Sequence, residues 1–186
     1  MDATALLRPH LLDGRVVALG GGGEQLGPPL AALGAATPAL PATLDEEALA
    51  AAVDPATHAL VHDLRPAFAG GGEDRLRAAL DLAWVTVRAV ADAAFIPDAR
   101  GGKVVLVAPP PAADAPAAAG VRAGTENLAR TLSIEWARHG ITTVASVPGA
   151  RTDDAQLAAL AAYLVSPAGD YFSGCRLSLG EQALTA

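Results

Sequence analysis

Short apolar runs alternate along this chain with longer segments in which apolar residues recur every three or four positions. The short runs predict five buried strands, at 15–19, 58–62, 103–108, 142–147 and 175–179. The longer segments predict helices at 26–33, 44–53, 74–94, 120–138 and 156–164. Strands that alternate with helices predict an α/β fold, a doubly wound parallel sheet with helices on both faces.

Proline and glycine mark where these elements begin and end. Gly34 and Gly140 are expected to terminate helices, and the Pro/Ala-rich segment 109–116 is predicted to be a loop. Residues 35–42 could hold a weak strand, which Pro38 and Pro41 would shorten. No repeat or linker divides the chain, so one domain is predicted over 1–186, with an N-terminal extension at 1–13 and a C-terminal tail at 181–186.

Composition narrows the class of protein. The 186 residues are 52% hydrophobic and 18% charged, which is typical of a globular domain with a sizeable core. A net charge of −7 without a basic stripe argues against nucleic acid or an anionic membrane as partner. Cys175 is the only cysteine, so no internal disulfide can form, and a cytoplasmic location is expected. The sequence holds no Cys/His metal spacing and no Gly-x-Ser-x-Gly motif, so no metal site is predicted.

Two stretches carry a resemblance to a known family. The run "ENLARTLSIEWARHGI" and the strand that ends at Pro148-Gly149 are followed by "YLVSPAGDYFSGCRLSLG" at 163–180. Together they resemble the active-site helix and the C-terminal part of short-chain dehydrogenases/reductases. The resemblance spans nearly the whole chain, with a shortened part between the first helix and the 58–62 strand. It implies a Rossmann-like fold and a truncated, degenerate member of an NAD(P)-dependent oxidoreductase family.

The same resemblance locates the family's catalytic positions, and none of them holds the expected residue. The Tyr-x-x-x-Lys dyad falls on Ala118 and Arg122, the serine on Ala108 and the helical asparagine on Ala83. A methyl group cannot transfer a proton, and a guanidinium does not deprotonate. We therefore predict no catalytic residue at these positions, and we expect Arg122 to pair with Glu126 one helical turn away.

His58 and His62 flank the second predicted strand, and Asp63 follows it, so His62 with Asp63 is a candidate replacement for the dyad. Packing at the strand end is the favoured interpretation of His62, and a catalytic role stays open. Tyr163 and Tyr171, the two tyrosines, lie far along the chain from the expected site.

The glycine turn after the first strand is where this family holds the cofactor pyrophosphate. The alignment places Gly21 and Gly27 on family glycines but Gln25 on the middle one, with Glu24 beside it and prolines at 28 and 29. Each difference weakens an anion site, so no cofactor is expected. If a cofactor does bind, it should be NAD(P). The residues that could still contact a cofactor are Gly21, Gly27, Pro148, Gly149 and Thr152, although a turn, a strand end or a helix start is the favoured explanation of each.

Family enzymes carry a long substrate-covering segment after the Pro-Gly, and this chain passes directly into its last helix. The family's subunit interfaces lie on the helices at 74–94 and 120–138, which carry Trp84 and Trp136, and on the last strand. These interface elements are retained while the catalytic ones are lost. The hypothesis is a non-catalytic subunit that pairs with an active full-length relative and stabilises or regulates that relative. A heterotetramer is one such assembly, and pairing of the chain with itself is also possible. Two alternatives stay open: an active NAD(P)-dependent oxidoreductase of the ketoreductase or alcohol dehydrogenase type with atypical catalytic residues, and a self-associating small-ligand binding protein.

Overall fold

A computed structural model describes residues 6–111 and 115–180. Five parallel strands form one sheet in sequence order, and each pairs with the next along the chain. The predicted fold class is confirmed, as are the five predicted strands. They are β1 (Val17–Gly20), β2 (Ala59–Asp63), β3 (Gly102–Val107), β4 (Ile141–Pro148) and β5 (Cys175–Leu179).

Helices cover both faces of this sheet. They are α1 (Gly27–Ala32), α2 (Glu46–Ala52), α3 (Arg65–Phe68), α4 (Glu73–Val90), α5 (Ala115–Glu135) and α6 (Asp154–Val165). The buried residues separate into two clusters, one beneath α2 to α5 and the other beneath α1 and α6. Successive strand residues alternate between them, because neighbouring side chains of a strand point to opposite faces: Val104 and Leu106 join the first cluster, Val105 and Val107 the second.

The weak strand predicted at 35–42 is reduced to two isolated bridges, Val16 to Ala36 and Leu19 to Ala39. The segment nevertheless runs beside β1 on the side away from β2, where the Leu19 N–H donates to the Pro38 carbonyl at 2.8 Å. Pro38 has no N–H to return, which explains why a regular ladder does not form.

Two helices differ from the prediction by more than two residues, and α3 was not predicted. α4 begins at Glu73 and continues beyond Val90 in a π-helical turn, Ala91–Phe95. α5 begins at Ala115 rather than at 120, because Pro116 is compatible with a first helical turn. The predicted terminations hold: Gly34 has φ +101° and Gly140 φ +69°, and both lie just past a helix end.

Two glycines let α4 and α5 pack closely. A Cβ at Gly120 would lie 2.6 Å from Leu76 Cδ1, and a Cβ at Gly124 would lie 2.7 Å from Leu80 Cδ1. A larger residue at either position would therefore require the Leu76 or Leu80 side chain to move.

The predicted domain limits stay a prediction. Leu12, within the predicted extension, is fully buried, and its N–H donates to the Leu33 carbonyl at 2.9 Å. The predicted C-terminal tail, 181–186, lies outside the described residues, as do 1–5 and 112–114.

Candidate functional site

The carboxyl end of the sheet contains the point where the chain changes direction. After β1 the chain runs through α1 to residues 36–39 on one side of β1, and then through α2 to β2 on the other side. In open α/β sheets, ligands bind outside the carboxyl ends of the strands at such a switch point. The turn 20–23 and the end of β2 therefore form the candidate site.

The glycines of this turn accommodate the close approach of β2. Gly21 and Gly22 have φ of +71° and +81°. A Cβ at Gly21 would lie only 2.1 Å from the Asp63 carbonyl oxygen, and one at Gly20 would lie 2.7 Å from His62 Nδ1. The turn thus packs on the chain's own second strand, which is sufficient reason for glycine at these positions.

A charged network lies beside the turn. The Asp63 carboxylate is fully buried and accepts from Arg65 Nε at 2.9 Å and Nη2 at 2.7 Å. Arg65 also donates to Asp154 Oδ1 at 2.5 Å, and Gln25 Nε2 donates to Asp63 Oδ2 at 3.2 Å. Burial alone would lower the pKa of Arg65, but its hydrogen bonds and ion pairs with Asp63, and then with Asp154, raise it above its ordinary value.

The sequence interpretation missed this network, although the signal of an acid at a strand end and a base two residues later was present. The contact with Asp154 comes from α6, which is 89 residues further along the chain. No sequence spacing indicates it.

His62 lies beneath the turn and is fully buried. Neither ring nitrogen has a hydrogen-bond partner among the described residues, and the buried Thr86 hydroxyl nearby also lacks one. Burial lowers the pKa of His62 to about 3, so the imidazole is neutral at physiological pH. A ring without access to solvent and without a partner does not form the pair with Asp63 that acid–base catalysis would need.

These residues do not fit the pyrophosphate of a dinucleotide. α1 has only six residues, and Pro28 and Pro29 remove two of the N–H groups with which a helix start binds an anion. The carboxylates of Glu24 and Asp63 lie near the turn, with Glu24 Oε2 3.9 Å from the Cβ position of Gly22 and Asp63 Oδ2 3.8 Å from that of Gly23. A pyrophosphate would meet the Glu24 carboxylate and an Asp63 carboxylate whose charge Arg65 already balances, and β2 occupies the space at Gly21.

The four positions that the resemblance equates with catalytic residues are three buried alanines and an arginine bonded to backbone carbonyls. Ala83, Ala108 and Ala118 are fully buried in the cluster beneath α4 and α5. Arg122 lies one turn after Ala118 on α5, and its Nη1 donates to the carbonyls of Pro109 at 2.9 Å and Pro148 at 2.6 Å. Arg122 therefore connects the segments that follow β3 and β4.

The predicted pairing of Arg122 with Glu126 is wrong. Glu126 instead contacts Arg130 at 2.8 Å and Arg176 at 3.6 Å. The two carbonyls that Arg122 bonds belong to strand ends, which helical spacing cannot reveal.

The end of β4 holds the remaining predicted cofactor contacts. Thr152 Oγ1 donates to the Leu179 carbonyl at 2.9 Å and accepts from the Gly149 N–H at 3.0 Å. A Cβ at Gly149 would lie 2.8 Å from the same carbonyl. These contacts fasten the turn after Pro148 to β5. Residues 149–153 alone join β4 to α6. A cofactor role for Pro148, Gly149, Thr152, Gly21 and Gly27 stays a prediction.

The two tyrosines do not approach this site. Tyr171 is 91% exposed and precedes β5, at the amino edge of the sheet. Tyr163 contacts Phe172 edge to face, with ring centroids 6.0 Å apart.

A second candidate surface lies on the outer side of α4 and α5. A groove of about 400 Å³ runs between the two helices, with Leu80 and Trp84 on α4 and Gly124 and Leu128 on α5. Trp84 is 39% exposed, and Ile134, seven residues after Asn127 on the groove side of α5, is 74% exposed. The predicted interface tryptophans differ: Trp84 lies on this surface, whereas Trp136 packs against the core.

Two further properties concern the described residues only. They contain no group of three or more His, Cys, Asp or Glu side chains placed to hold a metal ion. None of their helices combines the length and the apolar character that a membrane crossing requires. Cys175 is half-buried, and burial raises the pKa of its thiol.

Comparison with known proteins defines the fold. No protein-family model and no curated protein matches the sequence. Among solved structures, a citronellol catabolism dehydrogenase from Pseudomonas aeruginosa is 21% identical, with a TM-score of 0.74 over 94% of this chain and 96% of that one. A short-chain dehydrogenase/reductase double mutant from Serratia marcescens is 23% identical, with a TM-score of 0.71 over 91% and 97%.

A third similar structure was determined with a cofactor. It is a proposed NAD(P) dependent gluconate 5-dehydrogenase from Beutenbergia cavernae, with NADP bound at low occupancy. It is 22% identical, with a TM-score of 0.67 over 92% of this chain and 97% of that one. The chain therefore has the fold of short-chain dehydrogenases/reductases, and the predicted resemblance is confirmed at that level.

Proposed function

We propose that this chain is a non-catalytic, cytoplasmic subunit that pairs with an active short-chain dehydrogenase/reductase and stabilises or regulates it. The observation that carries the proposal is the fully buried Ala118, at the position where the resemblance places a proton-transferring tyrosine. A methyl group has no proton to give, and the reaction of such enzymes depends on an acid within reach of the substrate.

Arg122 supports the same conclusion. Its positive charge is held between the Pro109 and Pro148 carbonyls, so the guanidinium serves to hold two strand ends together. The glycine turn supports it further, since Asp63, Glu24 and Gln25 occupy the surroundings of the pyrophosphate site. These observations support a chain that lacks both the proton-transferring residue and the cofactor site of the enzymes it resembles.

The outer surface of α4 and α5 is where we place the contact with the partner. Exposed apolar side chains that cluster beside a groove favour burial against another protein, and tryptophan is enriched at interface centres. We propose that the equivalent helix pair of the active relative packs on Trp84 and Ile134 to form a four-helix arrangement. The exposed face of β5, an edge strand that carries Arg176 and Ser178, would supply a second contact.

Co-expression with an active relative tests this pairing. The partner is the short-chain dehydrogenase/reductase with an intact Tyr-x-x-x-Lys motif that the same genome encodes nearest to this chain. We expect co-purification at a fixed ratio and an increase in the partner's thermal stability. Trp84→Ala should weaken the complex by about 2 kcal/mol, or roughly 30-fold.

Leu6→Ala is the control, because it removes an exposed apolar side chain that lies outside α4, α5 and β5. It should leave the complex unchanged. A chain that stays alone beside the relative, or a complex that responds equally to both variants, would contradict the proposed interface.

One observation favours a second candidate, a protein that binds a small apolar ligand. A cleft of about 370 Å³ lies beside the glycine turn, where Leu44, Pro66, Ala67 and Leu82 give it an apolar lining. Thermal stabilisation by an apolar metabolite, without stabilisation by NADH or NADPH, would favour this function. Loss of that stabilisation in Leu82→Asp would place the ligand in this cleft.

A further inference from the structure

A polar cleft of about 410 Å³ lies at the opposite edge of the sheet from the glycine turn. Residues that precede or begin β1 to β4 line it, together with one from the turn before β5. The polar and charged residues that line the cleft include Arg15, Thr57, His58, Arg100, Lys103 and Asp170.

Positive charge is concentrated in this cleft. Three cationic side chains, Arg15, Arg100 and Lys103, face one carboxylate, Asp170. The whole chain carries −7, so the cleft differs in sign from the rest of the molecule. Charges of one sign within a concave surface raise the local potential and attract the opposite ion.

Two of these cations remain available to a ligand. Lys103 is occupied, since its Nζ contacts the Ser166 carbonyl and the Asp170 carboxylate. Arg100 uses only Nη1, on the Pro55 carbonyl, which leaves its other N–H groups. Among the described residues, the Arg15 guanidinium has no hydrogen-bond or ion-pair partner. Guanidinium groups match the oxygens of phosphate in shape and charge.

His58 adds a neutral donor to the cleft. His58 Nδ1 accepts from the Val16 N–H at 3.1 Å, so a neutral ring carries its proton on Nε2. Burial, then the charges of Arg15 and Arg100, lower the pKa of His58, which keeps it a neutral donor at physiological pH.

We propose that this cleft binds the phosphate group of a small phosphorylated metabolite, held between the Arg15 and Arg100 guanidiniums. Two guanidiniums suit an ion with several oxygens and a double negative charge better than they suit a single carboxylate. The cleft is larger than a phosphate ion and leaves room for the organic part of the ligand. The proposal does not rest on the proposed function, which concerns the other edge of the sheet and the α4 and α5 surface.

Calorimetric titration with inorganic phosphate and with ribose 5-phosphate, at constant ionic strength, tests the site. We expect ribose 5-phosphate to bind saturably with a dissociation constant of about 1 mM or below, and more tightly than inorganic phosphate. In parallel NMR titrations, the amide signals of Gly101 and Gly140, which line the cleft, should shift. The double variant R15Q/R100Q should bind ribose 5-phosphate at least about tenfold more weakly.

The control is R77Q/R130Q, which removes the same charge from exposed positions on α4 and α5. It should bind like the wild type, and circular dichroism should confirm that both double variants fold. No saturation at about ten times the expected dissociation constant would overturn the site. Equal loss of binding in both double variants would overturn the role of the arginines, and tighter binding of inorganic phosphate would overturn the assignment to a metabolite.

Discussion

Replacing Ala118 with Tyr and Arg122 with Lys restores the dyad of the family that the chain resembles, and we expect the double variant to stay inactive and to lose stability. Ala118 is fully buried among α4, α5 and the sheet. A phenol ring there must displace packed side chains, which costs about 1–3 kcal/mol. Lysine in place of Arg122 can no longer bridge both carbonyls with a planar fork, and loss of a charged hydrogen bond costs about 1.5–3 kcal/mol.

The combined loss is about 3–5 kcal/mol, because the two residues act on the same turn of α5 and need not be additive. For a domain of this size, each kcal/mol shifts Tm by about 2–4 °C, so the melting temperature should fall by roughly 6–20 °C. Scanning fluorimetry measures that shift. Oxidation of NADH and NADPH with a panel of aldehydes and ketones should stay at background, since Asp63, Glu24 and Gln25 still occupy the surroundings of the cofactor turn.

The control A119Y/R130K makes the same two substitutions at exposed positions of α5. Its melting temperature should stay within a few degrees of the wild type. A double variant A118Y/R122K that melts like this control would show that space for a tyrosine exists. Turnover of a carbonyl substrate by it would refute the reasoning about both the acid and the cofactor turn.

Two further predictions concern stability. Arg122→Met should lower the free energy of unfolding, measured in urea, by about 2–3 kcal/mol, because it leaves the Pro109 and Pro148 carbonyls without their charged donor. The control Arg130→Met loses one exposed ion pair and should change that free energy by less than about 0.5 kcal/mol. The folded-state pKa of His62, about 3, lies below the ordinary 6.5, so the stability that a neutral His62 gives is fully present above pH 6.5 and is lost as the pH falls toward 3. The wild type should therefore lose on the order of 2 kcal/mol more than His62→Leu between pH 7.5 and 5.0 in urea titrations, and equal losses would contradict the buried, neutral state.

The fold could be predicted from the sequence because strands and helix ends depend mainly on residues that are close together along the chain. Apolar runs of four to six residues identified the five strands, and glycines 34 and 140 identified two helix ends. The segment at 35–42 is a partial exception, since Pro38 weakens a strand that the neighbouring residues favour. In this segment the apolar pattern favours a strand, and the missing N–H of Pro38 prevents a regular one from forming.

The sites were predicted less completely because their contacts join distant parts of the chain. Helical spacing indicated Glu126 as the partner of Arg122, but the partners are two strand ends that only the sheet brings near α5. The cationic cleft was not predicted at all. Arg15, Arg100 and Lys103 belong to three different strand starts, and nothing in their spacing shows that parallel strands align them.

Native mass spectrometry of the complex between this chain and its active relative, titrated with NADPH, tests the central claim most directly. One spectrum reports both the subunit composition and the number of bound dinucleotides. We predict a hetero-oligomer in which NADPH occupancy saturates at the number of active subunits and no higher. One dinucleotide for every chain, or two proteins that remain separate at all concentrations, would contradict a non-catalytic partner subunit.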